Sequence, residues 1–259
     1  MGSGLSQNRK VDSLRTVVNK PIPEPPTLET PILFGQFGEY TITPRDRLEV
    51  KIYRAGLFVS ALSFAIGTGL VLGVGTTPTV LDGLTPLWIV FGVGLGVSLL
   101  TIHIYLRPLH RLLQLFWLIG FLASLDVLTQ TNTPLVAEIY THPDRLWSIG
   151  CLFAALTGII FKEAFCFDRA ETKFLTPIMP LTIGGHMMGI LPVASEKVLL
   201  GIWAVLLLLF ASRKLTQNIP DDIGDKSVFD HLKDPEAHPD RFALAKKDAT
   251  LDGEAFSND

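Results

Sequence analysis

The sequence predicts an all-α fold, a polytopic transmembrane helical bundle of six spans with both termini on the cytoplasmic side. Three observations predict it: a composition poor in charge, long apolar runs between short polar loops, and basic residues concentrated in alternate loops. Hydrophobic residues make up 48% of the 259 residues and charged residues 18%, whereas about a quarter of the residues of a soluble domain are charged. The lipid bilayer is therefore the expected solvent and the first expected partner.

The spans follow from the apolar runs, each near the roughly 20 residues that cross a bilayer as a helix. Thr43, Pro44 and Asp46 predict the start of the first helix, because a hydroxyl cap, an early proline and a nearby carboxylate are typical of helix N-termini. Three glycines that predict close helix packing in the second span are Gly92, Gly94 and Gly96. Within a membrane domain at 43–214, the expected spans are about 55–74, 86–106, 112–129, 146–167, 174–193 and 198–212.

The orientation follows from charge, because Lys and Arg in short loops near span ends stay on the cytoplasmic side. One set of loops carries eleven such residues and the other carries only Arg145 and Lys197. The asymmetry also supports the fifth span, which prolines and glycines interrupt, since without it the basic end of the sixth span would change sides. The eleven are Arg45, Arg47, Lys51, Arg54, Arg107, Arg111, Lys162, Arg169, Lys173, Arg213 and Lys214.

Two polar segments flank the membrane domain. In residues 1–42 the prolines are too closely spaced for a helix or a sheet ladder, so we expect a disordered cytoplasmic arm. Residues 217–259 carry eleven acidic residues against five Lys or Arg, and we expect 215–259 to form a disordered acidic cytoplasmic tail. The prolines of the arm are Pro21, Pro23, Pro25, Pro26 and Pro31.

Two ionisable residues inside the spans are candidate site residues, because an unpaired charge there costs several kcal/mol. Counting about 1.5 Å per residue from the cytoplasmic ends puts Asp126 and His186 both roughly 18 to 21 Å deep. We expect them to form a polar membrane pair, and a carboxylate beside an imidazole suits a proton or cation relay. A structural interhelical hydrogen bond and an Asp126 at the outer surface are the alternatives.

A second polar layer is expected at the cytoplasmic rim. Lys162 and Glu163 lie in the last turns of the fourth span, and neighbouring residues of a helix point about 100° apart, so we expect each to find a partner elsewhere. A structural clamp is the expected role, rather than catalysis. The rim residues are His103, Arg107, His110, Lys162, Glu163 and Cys166.

The histidine of the fifth span is also a candidate metal or cofactor ligand. Met187 and Met188 follow His186 directly, and imidazole with thioether suits a soft metal such as Cu(I) or axial ligation of haem. The alternative is that the methionines fill gaps in the packing. The residue pattern does not identify a particular cofactor.

Three segments resemble a family of uncharacterised integral membrane proteins common in cyanobacteria and plastids, domain of unknown function 2301. They are ITPRDRLEVKIYRAG (42–56), FKEAFCFDR (161–169) and TPIMPLTIGGHMMGI (176–190), and the matching residues include Lys162, Glu163, Phe165, Cys166, Phe167 and His186. The resemblance covers about residues 40 to 215. It implies a membrane domain in a photosynthetic host, in the thylakoid or plasma membrane, and no established activity.

The function expected from these features is non-enzymatic, because the sequence has no H-E-x-x-H, no G-x-S-x-G and no phosphate-binding loop. We expect an accessory or assembly factor of a membrane complex, such as a photosynthetic one, whose subunits would be its partners; nucleic acid is not an expected partner. A small-solute, ion or proton transporter or channel is the first alternative, with the fifth span lining a cavity. Intramembrane binding of haem, pigment or metal is the second.

Overall fold

The computed structural model describes residues 32–228, which form a bundle of helices with a β-hairpin at one end. The antiparallel hairpin pairs β1 (Ile32–Gly35) with β2 (Gly38–Thr41). The predicted all-α polytopic bundle is confirmed. The helices are α1 (Pro44–Gly73), α2 (Pro78–Thr101), α3 (Arg107–Gln130), α4 (Leu135–Thr141), α5 (Leu146–Ile149), α6 (Cys151–Phe167), α7 (Ala170–Met187), α8 (Val193–Leu215) and α9 (Ile219–Ile223), with a 3₁₀ turn at Pro143–Arg145.

Within residues 32–228, four helices are long and apolar enough to cross a membrane: α1, α2, α3 and α8. A fifth crossing is counted if Pro143–Ile149 and Cys151–Phe167, which are bent by 54° relative to each other, form one broken span. The fifth predicted span corresponds to α7, a helix that contains Pro177 and Pro180. The count of six spans therefore stays a prediction.

The predicted start of the first helix is correct, and the ends of two spans differ from prediction. The Thr43 side chain accepts a hydrogen bond from the Asp46 N–H, and α1 begins at Pro44. The second span was expected to reach residue 106, but α2 ends at Thr101 because the Ile102 backbone is extended. The fourth span is expected from 146 to 167 as one helix, and the chain bends between its two parts at Gly150.

Parts of both flanking segments are folded, although the sequence predicts both to be disordered. Residues 32–41 of the arm form the hairpin, and residues 216–227, called here the C-terminal segment, pack against it. The Gln36 N–H donates to Asp225 Oδ2 at 2.6 Å, and the Phe37 N–H donates to Ser227 Oγ at 3.0 Å. Asp225 and Ser227, which the polar composition of the tail would place in solvent, thus bind the backbone of the hairpin. The rest of the arm and tail, 1–31 and 229–259, lies outside the described residues.

The α1–α2 contact depends on small residues. A Cβ atom on Gly94 would lie 2.6 Å from Ser60 Oγ and 2.8 Å from the Gly56 carbonyl oxygen, so the two backbones approach closely. Gly92 and Gly96 receive aromatic rings of α3, since a Cβ atom there would lie within 2.3 to 2.6 Å of a ring carbon. The three glycines of α2 therefore serve two helix interfaces at once, as close packing in lipid requires.

The bundle has two polar ends joined by an apolar core. The terminal end carries the hairpin and the C-terminal segment, and the far end carries the loop between α7 and α8. Between them lie packed aromatic rings, with Phe64 at 4.7 Å and Phe153 at 5.1 Å from the Trp203 ring, centroid to centroid. The helix α8 runs the full distance between the two ends, as α1 does.

We predict that Gly94→Ala destabilises the bundle by about 1–3 kcal/mol, because the added methyl group has no space beside the α1 backbone. The matched control is Gly83→Ala on the same helix, where a Cβ atom meets nothing within 4 Å. That change is expected to be neutral or to stabilise by up to about 1 kcal/mol, the helix-propensity gain. Thermal denaturation in detergent, followed by tryptophan fluorescence, measures both. Equal melting temperatures for the two variants would contradict the close approach.

Candidate functional site

The terminal end holds five charged residues that we call the ionic cluster: Arg54, Lys162, Glu163, Lys214 and Asp222. Lys214 is fully buried, and its Nζ contacts both Glu163 and Asp222. Lys162 Nζ lies 2.9 Å from the other oxygen of Glu163, and Arg54 Nη2 lies 2.6 Å from Asp222. Four helices bring these residues together: α1 supplies Arg54, the end of α6 supplies Lys162 and Glu163, the end of α8 supplies Lys214, and α9 supplies Asp222.

Neutral groups complete the ionic cluster. The Tyr53 hydroxyl donates to Glu163 at 3.2 Å. The Phe167 ring lies 4.2 Å from Lys214 Nζ, measured to the ring centroid, in a cation–π contact. Each buried charge therefore has several partners, which it needs, because removing a single ion from water costs several kcal/mol.

The same cluster fastens the backbone of the C-terminal segment. Arg54 Nη1 donates to the Gln217 carbonyl at 2.5 Å, and Nη2 donates to the Asn218 carbonyl at 2.9 Å. The Tyr105 hydroxyl donates to the Ile223 carbonyl at 2.5 Å. Side chains of α1 and of the α2–α3 loop thus hold a segment that follows the last long helix.

Two of the predicted rim residues belong to this cluster. Glu163 finds partners elsewhere, as expected, in Lys214 and Tyr53. It also bonds Lys162, which the sequence did not lead us to expect, because the flexible Lys162 side chain turns back toward its neighbour. The His110 Nε2 atom lies 2.6 Å from the Leu99 carbonyl oxygen. Arg107 and Cys166 are exposed.

The remaining rim residue, His103, contacts α1 rather than the ionic cluster. Its Nε2 atom lies 3.5 Å from Glu49 Oε2 and 4.0 Å from Asp46 Oδ1. Burial, with the nearby charges of Lys226 and Lys162, lowers the pKa of His103 below its ordinary value, although Glu49 and Asp46 act in the opposite direction. The imidazole is therefore neutral at pH 7, since its ordinary pKa is already about 6.5.

Sequence reasoning missed the partners that complete the ionic cluster. Arg54 and Lys214 enter the sequence analysis as markers of orientation, and Asp222 as one acidic residue of the tail. A basic residue within the last turns of a span, such as Lys214, is a usable signal, because it must be buried with a counter-charge or reach the interface. Asp222 carries no signal that separates it from its acidic neighbours in the sequence.

At the far end, His186 forms a second polar site. Its Nδ1 atom lies 2.8 Å from Glu196 Oε1, its Nε2 atom lies 3.2 Å from the Tyr140 carbonyl oxygen, and its ring stacks on the Tyr140 ring. The Tyr140 hydroxyl donates to the other Glu196 oxygen at 3.0 Å. A carbonyl oxygen can only accept, so Nε2 carries a proton, and Nδ1 and the carboxylate share a second position where a proton can be held.

The expected pair of Asp126 with His186 does not form. Asp126 is exposed and accepts from Gln130 Nε2 at 2.6 Å on its own helix. Depth along a helix was the only basis for the pair, and it carries no information about which way a side chain faces. The true partner, Glu196, lies just before the predicted start of the sixth span, where its charge is expected to be solvated.

The candidate metal or cofactor ligands are not gathered around one point. Both ring nitrogens of His186 face protein oxygens. Met187 packs against the cluster around Val127 and Ile149, and Met188 is 74% exposed. These positions favour packing for Met187 and leave Met188 at the surface.

A cavity of about 590 Å³ opens beside the His186 site. The size falls in the range of about 300–1,000 Å³ that is usual for small-molecule sites. Its walls are mainly apolar and come from α1, α2, α4, α7 and α8, while His186, Glu196 and Lys197 lie at its polar rim. Two hydroxyl groups in the walls donate to carbonyls of their own helices, Ser63 to Val59 and Thr182 to Ile178.

One buried polar atom of the cavity wall has no partner within residues 32–228. Trp203 is 2% exposed and lines the cavity, and its Nε1–H makes no hydrogen bond. It lies seven residues beyond Glu196 on α8, about 10 Å deeper into the bundle. The cavity therefore offers an apolar body and a charged rim, with an unpaired indole N–H buried in its wall.

The helical bundle with its long apolar helices defines a multi-pass integral membrane protein. The model of an uncharacterised integral membrane protein family, DUF2301, matches residues 97–231, which is just over half of the 259 residues. The chain belongs to this family. No curated protein and no solved structure matches it.

We predict that Lys214→Met destabilises the protein by about 3–5 kcal/mol, because it leaves two buried carboxylates without their shared cation. The C-terminal segment should then be cut rapidly in limited proteolysis, while thermal denaturation in detergent reports the stability. The control is Lys173→Met, which removes a surface ion pair with Asp168 and should cost about 1 kcal/mol or less. Equal protection of the segment in both variants would show that the ionic cluster does not hold it.

Proposed function

We propose that this protein binds a lipophilic molecule that carries a hydrogen-bond acceptor, such as a carbonyl group, in the cavity between α1, α2, α7 and α8. The observation that carries the proposal is the cavity with its mainly apolar walls, and one of the side chains in its wall is Trp203, a 2% exposed indole whose buried N–H has no partner in the described part of the chain. An unsatisfied buried donor costs about 1–3 kcal/mol. An acceptor on a bound molecule removes that cost when the indole turns its N–H, which is buried in the wall, toward the cavity.

The walls and the rim narrow the chemistry of the occupant. The apolar walls favour a hydrocarbon or ring body, and the hydroxyl groups of Ser63 and Thr182 donate to carbonyls of their own helices. The rim with His186, Glu196 and Lys197 favours a polar head near the far end of the bundle. The occupant is therefore an amphiphile, with its head at the rim and an acceptor roughly 10 Å deeper, near Trp203.

Some of the functions expected from the sequence would use this cavity, and others would not. Pigment binding and passage of a small solute would both use an intramembrane cavity that His186 lines, so they are specific forms of the proposal. Asp126 has no part in either, because it lies outside the cavity lining. A role as an assembly factor, the photosynthetic host and the thylakoid membrane stay predictions.

The test is to purify the full chain in mild detergent, extract it with organic solvent and identify the extracted molecules by mass spectrometry. We expect one amphiphile with a carbonyl or similar acceptor, enriched well above its share of the membrane lipid. Leu200→Trp, which fills part of the cavity, should abolish the enrichment. Trp203→Phe, which keeps the ring and removes the N–H, should reduce it by about 5- to 10-fold, the value of one hydrogen bond.

The matched control is Leu209→Trp on the same helix, at a position 45% exposed and outside the cavity lining. It should leave the enrichment unchanged. Extracted lipids in the proportions of the surrounding membrane, the same for all variants, would contradict the proposal.

We also propose that the terminal end faces the cytoplasm. The proposal is supported by the excess of Lys and Arg near this end, among them Lys162, Arg169 and Lys214. The hairpin and the C-terminal segment lie together at this end, so a single measurement of the side of the membrane that this end faces applies to both.

Cys166 allows the measurement, since it is exposed and lies next to the last residue of α6. In a Cys151→Ser background it is the single thiol of the chain. A membrane-impermeant maleimide should label it in sealed inside-out vesicles and leave it unlabelled in right-side-out vesicles. The opposite pattern would reverse the orientation, and labelling after detergent permeabilisation of both preparations is the control for reactivity.

A further inference from the structure

Three potential metal ligands meet where the first turns of α1 pack against the α2–α3 loop. One atom each of Asp46, Glu49 and His103 lies within 4.8 Å of the others. The side chains of His103 and Asp46 are 12% and 13% exposed, and that of Glu49 is 31% exposed. Two ligands are thus shielded, and the third leaves a path from solvent.

Each carboxylate uses one oxygen for protein contacts and turns the other toward His103. Asp46 Oδ2 accepts from the N–H and hydroxyl of Thr43 and from Lys226, while Oδ1 faces His103. Glu49 Oε1 accepts from Arg45, while Oε2 faces His103. Within residues 32–228 these two inward oxygens receive no hydrogen bond.

The separations match those around one metal ion. The Nε2 atom of His103 lies 3.5 Å from Glu49 Oε2 and 4.0 Å from Asp46 Oδ1. Ligands bound to one ion at about 2.0 to 2.2 Å lie about 3 to 4 Å apart. For a direct hydrogen bond both distances are long.

We propose that Asp46, Glu49 and His103 form a binding site for a divalent first-row metal cation, with Zn²⁺ or Mn²⁺ as the best-suited ions. Two carboxylates and one neutral imidazole are typical ligands for such ions, and three protein ligands leave positions open for water or a further ligand. This site lies at the terminal end, apart from the cavity at the far end, and is independent of the proposed function.

The site also contacts the C-terminal segment through Lys226. The Lys226 ammonium lies 2.7 Å from Asp46 Oδ2 and donates to the Thr41 carbonyl at 3.2 Å. A cation bound between Asp46 and Glu49 is repelled by this ammonium. Metal binding and the Lys226 contact therefore oppose each other.

The test is isothermal titration of Zn²⁺, and separately of Mn²⁺, into the full chain purified in detergent after chelator treatment. We expect one equivalent to bind to the wild type. His103→Ala should lower the affinity by about tenfold or more, since the loss of even an outer-sphere partner costs 10- to 100-fold. Lys226→Met should raise it by about two- to fivefold, the effect of removing one partly exposed charge.

The control is His142→Ala, because His142 also lies beside a carboxylate, 3.3 Å from Glu138, at another place in the fold. The His142→Ala variant should bind the metal with the same affinity as the wild type. Glu49→Gln keeps the side-chain shape and should weaken binding as His103→Ala does, so a folding defect in one variant does not decide the result. Absence of a saturable equivalent in the wild type, or equal affinity for the wild type, His103→Ala and Glu49→Gln, would overturn the site.

Discussion

Lys214, at the end of the last long helix, is buried with two carboxylates from different parts of the chain, Glu163 of α6 and Asp222 of α9. Lys214 is the one cation of the ionic cluster that contacts both carboxylates, and it offsets part of the cost of burying them, because desolvation costs each ion several kcal/mol. Arg54 ties α1 to the same group. The arrangement of three helices at the terminal end therefore depends on a segment that follows the last of them. The family match extends to residue 231 and includes that segment.

The helix α8 connects the two polar ends and the cavity between them. Glu196 lies in its first turn and Lys214 in its last, about 27 Å apart at 1.5 Å per residue. Trp203 lies between them on the cavity wall. Because the ionic cluster fixes one end of this helix and His186 bonds the other, the indole N–H is held at a defined depth. A rigid wall of this kind is what a pre-formed binding cavity requires.

The sequence predicts the helices well and the contacts between them poorly, for a physical reason. Apolar runs and the capping residues at Thr43 locate elements, because both signals are local. Depth counting placed Asp126 and His186 at one level, but it carries no information about facing, and Asp126 points away to Gln130. Glu196 and Asp222 fall outside the predicted spans, so their charges are assigned to solvent. Instead, Glu196 and Asp222 bind His186 and Lys214 and so offset the cost of burying these two side chains in the bundle.

Water is the obvious alternative partner for the Trp203 N–H, and the cavity walls argue against it. A buried water molecule needs two to four polar partners to offset its confinement. The hydroxyl groups of Ser63 and Thr182, which also line the cavity, already donate to their own helices. Their oxygens can still accept hydrogen bonds, but the indole N–H is buried in the wall beyond the reach of a water molecule in the cavity, and most of the surrounding side chains are apolar. An acceptor that is part of an apolar molecule satisfies the indole and covers the walls at the same time, so a bound amphiphile explains both features of the cavity.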